Sequence, residues 1–102
     1  MKKLAPMHPG EVLREEFLVP LKLKPYGAAK MLGIPRTRIE RIVAEEIGIT
    51  ADTALRLAKL FGTSAEFWLN LQSRYDMLTA QKEISRELRK IKPVIELNHV
   101  AA

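Results

Sequence analysis

From His8 to about Tyr75, apolar residues recur at spacings of three and four in short runs cut by glycine or proline. That pattern predicts a set of short amphipathic helices. Pro9 suits a first helical turn, where its missing amide hydrogen is no loss, and Glu11 lies near the positive helix end. Leu13, Phe17 and Leu21 follow at spacing four as the expected inner stripe, widened by Val12 and Leu18, while Arg14, Glu15 and Glu16 face outward. Pro20 biases Val19 away from helical geometry and ends this helix. Leu21 and Leu23 then fall in the connection as expected core plugs. A second helix opens at Pro25 or Tyr26 with Ala28, Ala29 and Leu32 inward. Gly33 fits the left-handed position past its end, and Ile34 is placed to bury against the preceding turn. Pro35 restarts the chain into a third helix whose buried side is Ile39, Ile42 and Val43, with Arg36, Thr37, Arg38, Glu40 and Arg41 polar around them.

Glu45 to Ile49 reads as a turn with one or two apolar plugs. Thr50 is the expected N-cap of a fourth helix, Asp52 complements its dipole, and Ala54, Leu57, Ala58 and Phe61 form its core face. Gly62 ends it. Thr63-Ser64-Ala65-Glu66 then reads as a capping box with Thr63 at the cap, opening a fifth helix with Phe67, Trp68, Leu69 and Leu71. Phe67, Trp68 and Leu71 are expected in the core or in a dimer seam. From Arg74 to Lys92 the pattern weakens into a sixth helix, extending from or following the fifth and stopped by Pro93, and Val94 to Leu97 is a short strand or a frayed tail. The reading is all-α and single-domain: a mobile N-terminus over 1–7, a helix-turn-helix domain over 8–75, and a C-terminal helix and tail over 76–102.

Composition narrows the function. At 102 residues there is room for one modest core and no separate catalytic domain. The absence of cysteine excludes disulfides, thiolate nucleophiles and thiolate metal sites. The two histidines, His8 and His99, stand at opposite ends, and His8 fits a helix-capping or surface role. No serine sits in a nucleophile elbow and no phosphate loop is present, so no catalytic residue, metal ligand or cofactor site is expected. No stretch approaches the roughly 20 apolar residues of a membrane span, which points to a cytoplasmic protein without a membrane partner. The net charge of +5 suits an anionic partner. Much of that excess lies in Arg74, Lys82, Arg86, Arg89, Lys90 and Lys92.

Ala29 at a helix crossing, Gly33 in the turn, Ile34 after it and Ile39 anchoring the next helix together read as a helix-turn-helix. Arg36, Thr37 and Arg41 project opposite Ile39 and Ile42, as readers of base edges would. Arginine pairs bidentately with guanine, and threonine contacts a thymine methyl or accepts a hydrogen bond. Lys30 and Arg38 are placed for phosphates. Against this, residues 35 to 46 carry as many carboxylates as arginines, so the element is close to neutral.

The runs from His8 to Leu21, Gly33 to Ile39 and Gly48 to Gln72 resemble the HigA-type antitoxins, a branch of the phage-repressor-like helix-turn-helix proteins. The resemblance implies a five-helix DNA-binding domain, here with a C-terminal helical extension. It also implies a homodimer that binds double-stranded operator DNA, represses its own operon and neutralises a HigB-type mRNA-cleaving toxin. Three departures bear on affinity. Lys24-Pro25 stands where the family has a Ser-Gln pair, removing a cap and a phosphate-clamping glutamine. Gly27 replaces a bulkier helix former, and Glu45-Glu46-Ile47 replaces a basic turn. A stand-alone regulator, or a protein-binding module with weakened DNA affinity, are the other classes these residues fit.

Overall fold

The computed structural model describes residues 6–95. Helix α1 spans Pro9–Val12 and widens into a π-helical segment over Leu13–Leu18. It is followed by α2 (Pro25–Leu32), α3 (Arg36–Val43), α4 (Ala51–Phe61), α5 (Ala65–Glu83) and α6 (Ser85–Arg89). Among the described residues there is no strand. The expected mobile segment over 1–7 falls outside the described residues for 1–5. Val94 and Ile95 form a bend rather than a strand, and Glu96 and Leu97 lie outside the described residues.

One core holds these elements together. Leu13, Ile39, Ile42, Ala54, Leu57 and Trp68 are fully buried, with Val12, Leu18, Ala28, Ala29, Leu32 and Ile49 around them. Each comes from a predicted inner face or plug. Leu21, an expected inner residue of the first helix, is missing from this core for a reason of register. The amide of Val19 bonds to the carbonyl of Arg14, five residues back, so the segment turns with an extra residue. Leu18, five beyond Leu13, therefore takes the buried line and Leu21 is thrown outward, 60% exposed. Leu23 and the half-buried Phe17 still pack on the core. Phe17 meets Phe61 and Trp68 at ring-centroid distances of 4.9 and 5.0 Å.

His8 is the N-cap of α1: its Nδ1 accepts the Gly10 amide hydrogen at 2.9 Å, and its ring stands edge-on to Tyr75 at 4.8 Å. The capping role expected for His8 is thus observed, but in a buried position. Gly10 is the point of closest approach to α3. A Cβ there would lie 1.8 Å from the Ile42 carbonyl oxygen, which only glycine avoids.

Thr50 caps α4 through the Thr53 amide, as expected. The next cap is shifted by one residue from the expected box. Ser64, not Thr63, accepts the Phe67 amide, because the Thr63 hydroxyl is taken by the Trp68 indole N–H at 2.8 Å. Of the three apolar residues given to core or seam, Trp68 is fully buried, Leu71 half-buried against the core, and Phe67 38% exposed. Helix α5 runs without interruption past residue 75, and all residues from 80 to 95 are exposed. The sixth helix ends at Arg89, before Pro93: the amides of Lys90 and Ile91 turn back on the carbonyls of Glu87 and Leu88 in a tighter, three-residue closure.

Candidate nucleic-acid interface

Helices α2 and α3 pack across Ala28 and Ala29, whose small side chains let the backbones come close, against Ile39 and Ile42. Between them Gly33 adopts φ 74°, and the Ile34 amide closes onto the Ala29 carbonyl at 3.1 Å, the hydrogen bond of a left-handed helix end. Arg56 of α4 completes this end by donating to the Leu32 carbonyl at 2.8 Å. At the C-terminal end of α3, Arg14 donates to the Val43 carbonyl and lies 3.4 Å from the carboxylate of Glu45. Glu45 itself turns the chain with a left-handed φ of 63°. The C-terminal ends of α2 and α3 are thus each closed by an arginine of a neighbouring element. Neither Arg14 nor Arg56 was singled out for this role by pattern, since each reads as an outward polar position on its own helix.

With Ile39 and Ile42 sealed in the core, α3 presents Arg36, Thr37 and Arg41 to solvent. Lys30, in the last turn of α2, is also exposed and among the described residues enters no ion pair. The arginines are paired. Arg36 Nε lies 3.2 Å from Glu40, Arg41 Nε lies 3.4 Å from Glu46, and a terminal nitrogen of Arg38 lies 3.1 Å from Asp52 of α4. Asp52 also accepts Arg56 Nε at 2.7 Å, and this hydrogen bond, aided by Arg38, holds its carboxyl below the usual carboxylate range. Arg38 is therefore turned toward α4, whereas the other two arginines stand clear of the body. The neutral charge count has a structural expression: each carboxylate near α3 has an arginine as its neighbour.

The N-terminus of α2 has Lys24 at its cap position with no side-chain hydrogen bond, as its sequence led us to expect. The turn leading from α3 to α4 is held from an unexpected quarter. Gln72 of α5 accepts the Ile49 amide hydrogen at 2.6 Å and donates to Asp76 at 2.9 Å. A Cβ on Gly48 would meet that glutamine at 2.7 Å, so the glycine makes room for the contact. Among the described residues no group of three or more histidines and carboxylates could hold a metal, and no helix is long and apolar enough to cross a membrane.

Two short helices at a glycine turn, the second buried on one side and exposing arginines and threonine on the other, define a helix-turn-helix protein. Comparison with known proteins agrees. The helix-turn-helix family profile matches residues 13–68. Virulence-associated protein I of Dichelobacter nodosus is 51% identical over 77 residues, covering 76% of this chain and 71% of that protein. Among solved structures, Pseudomonas aeruginosa antitoxin HigA with the higBA promoter superposes with a TM-score of 0.85 at 42% identity, covering 88% of this chain and 99% of that one. A HigA-family addiction module antidote protein from Coxiella burnetii gives 0.84 at 47% identity, over 88% and 99% of the two chains. The chain belongs to the helix-turn-helix family, in its HigA antitoxin branch.

Proposed function

We propose that this chain is a cytoplasmic antitoxin that neutralises a HigB-type mRNA-cleaving toxin and represses its own operon as a homodimer on operator DNA. The observation that carries the DNA half is the outer face of α3: Arg36, Thr37 and Arg41 exposed over a fully buried Ile39 and Ile42, on a helix whose C-terminal end Arg14 closes. Similarity to a HigA antitoxin with promoter DNA supports DNA as the partner. In this reading α3 enters the major groove, Arg36, Thr37 and Arg41 meet base edges, and Lys30 and Arg38 meet phosphates.

The homodimer is supported by the far end of the molecule. Met77 on α5, Ile84 at the break between α5 and α6, Leu88 on α6 and Ile91 in the following turn are exposed. Among the described residues nothing covers these apolar side chains, and a second copy would. Two-fold symmetry then places the two α3 helices in successive major grooves, about 34 Å apart.

An electrophoretic shift with a duplex from the protein's own promoter tests the DNA half, and co-expression with the neighbouring gene product followed by a pull-down tests the toxin half. Retention of the neighbour without any shift at micromolar protein and low salt would favour the protein-binding module over the repressor. That second reading draws on one observation, the carboxylate beside every arginine of α3.

A further inference from the structure

The three arginine pairs of α3 are not equivalent in the atoms they use. Arg38 is engaged through a terminal guanidinium nitrogen by an aspartate that also holds Arg56. Arg36 and Arg41 both approach a carboxylate through Nε: Glu40 lies 3.2 Å from Arg36 as an ion pair, and Glu46 accepts the Arg41 Nε–H at 3.4 Å. With a carboxylate at Nε, the two terminal nitrogens make no hydrogen bond among the described residues, and these form the fork that pairs with the O6 and N7 acceptors of guanine. An unrestrained arginine must freeze a long, freely rotating side chain to reach that geometry. A buttressed one starts closer to it.

We propose that Glu40 and Glu46 are positioning residues for base readout, each holding its arginine by Nε so that the guanidinium fork is presented end-on to a guanine. The inference rests on the reading that α3 enters the major groove. It gives a role to carboxylates that otherwise only oppose binding: a negative charge on or beside α3 lowers affinity for every duplex, while the arginine it holds gains in discrimination. Nearly neutral charge on a recognition helix then favours selectivity over attraction. The arrangement differs from an ordinary solvated ion pair in one measurable respect. Removing such a pair by deleting its carboxylate would tighten all duplexes alike, because only repulsion is lost.

The test is fluorescence anisotropy of the full chain with a labelled duplex from its own promoter, single-base-pair variants of that duplex, and a random duplex. Wild type is compared with Arg36→Ala, Glu40→Ala and Glu40→Gln. Arg36→Ala identifies the base pair that Arg36 reads, as the one position where preference collapses. Glu40→Ala is expected to reduce preference at that same position about fivefold while binding random duplex more tightly. Glu40→Gln, which keeps an acceptor oxygen, is expected to retain most of the preference. The same pattern is expected for Glu46→Ala at the position marked by Arg41→Ala. If Arg36→Ala collapses preference at one position and Glu40→Ala leaves it intact while tightening every duplex, the positioning role is overturned and the readout stands. If Arg36→Ala leaves every preference as in wild type, the assignment of Arg36 as a reader fails and the inference falls with it.

Discussion

The indole N–H of Trp68 donates to the hydroxyl of Thr63 at 2.8 Å, five residues earlier, so the start of α5 is secured by two adjacent side chains with different tasks. Thr63 satisfies the polar edge of a fully buried ring, and Ser64 caps the helix. Thr63→Val keeps the shape but leaves a donor without a partner, which should cost about 1 to 3 kcal/mol. Ser64→Ala loses only the cap, about 1 kcal/mol. Urea unfolding followed by the fluorescence of the single tryptophan measures both. A Thr63→Val protein as stable as wild type would mean that the indole finds another acceptor.

Gly10 and Gly27 should respond oppositely to the same substitution. A Cβ on Gly10 would overlap the Ile42 carbonyl, so Gly10→Ala must push α1 off α3, and a loss of about 3 kcal/mol is expected for overpacking of this kind. At Gly27, inside α2, the added Cβ would meet only the Leu23 side chain at 3.5 Å, an ordinary contact. Gly27→Ala should therefore stabilise by roughly 0.5 to 1 kcal/mol, the helix penalty of glycine. Thermal unfolding of the two variants decides it, and a lowered melting temperature for Gly27→Ala would contradict the open space described.

These contrasts show which parts of the fold could be read from residue order. Helix faces were legible because burial of Ile39, Ile42, Ala54 and Leu57 follows a local period of three and four. The left-handed end at Gly33 was legible because few residues other than glycine accept that backbone. Leu21 was misplaced because a π-helical turn changes the period, and nothing in Leu13 to Leu18 announces it. The capping box slipped by one because Thr63 and Ser64 are chemically interchangeable as caps, and only the tertiary position of Trp68 separates them. At the candidate interface the helix and its outward residues were legible. The pairings of Arg36, Arg38 and Arg41, and the clamps from Arg14, Arg56 and Gln72, depend on long-range geometry that no local pattern encodes.

Stability should fall in mildly acidic solution through His8. Its Nδ1 needs a free lone pair to accept the Gly10 amide, and burial pushes the imidazole below its ordinary value, against the smaller opposing pull of Glu45 and Asp76. With the folded value below the unfolded one, the unfolded chain takes up the proton first. The His8 contribution is thus complete above the unfolded value of about 6.5 and is lost as pH falls below it through the folded value. Replacing His8 by Asn, which keeps a capping oxygen without a titrating ring, should flatten the stability profile below about pH 6.5. Parallel profiles for the two proteins would remove His8 as the cause.

If α3 enters the groove, Lys30 and Arg38 should differ in how they contribute to salt dependence. Lys30 is exposed and in no ion pair among the described residues, so in a complex its whole charge is available to a phosphate. Lys30→Ala should then lower the slope of log affinity against log salt by about 0.9 per phosphate contact, with equal loss on operator and random duplex. Arg38 is held by Asp52, which Arg56 also engages, so its contact with a phosphate competes with an existing one. Arg38→Ala should therefore change the slope by less than Lys30→Ala does, and Asp52→Asn, which frees Arg38, should steepen it. Titrations of each variant at four salt concentrations read these slopes directly. Equal slopes for Lys30→Ala and wild type would take Lys30 off the phosphate path, and an unchanged slope in Asp52→Asn would show that the aspartate does not restrain Arg38.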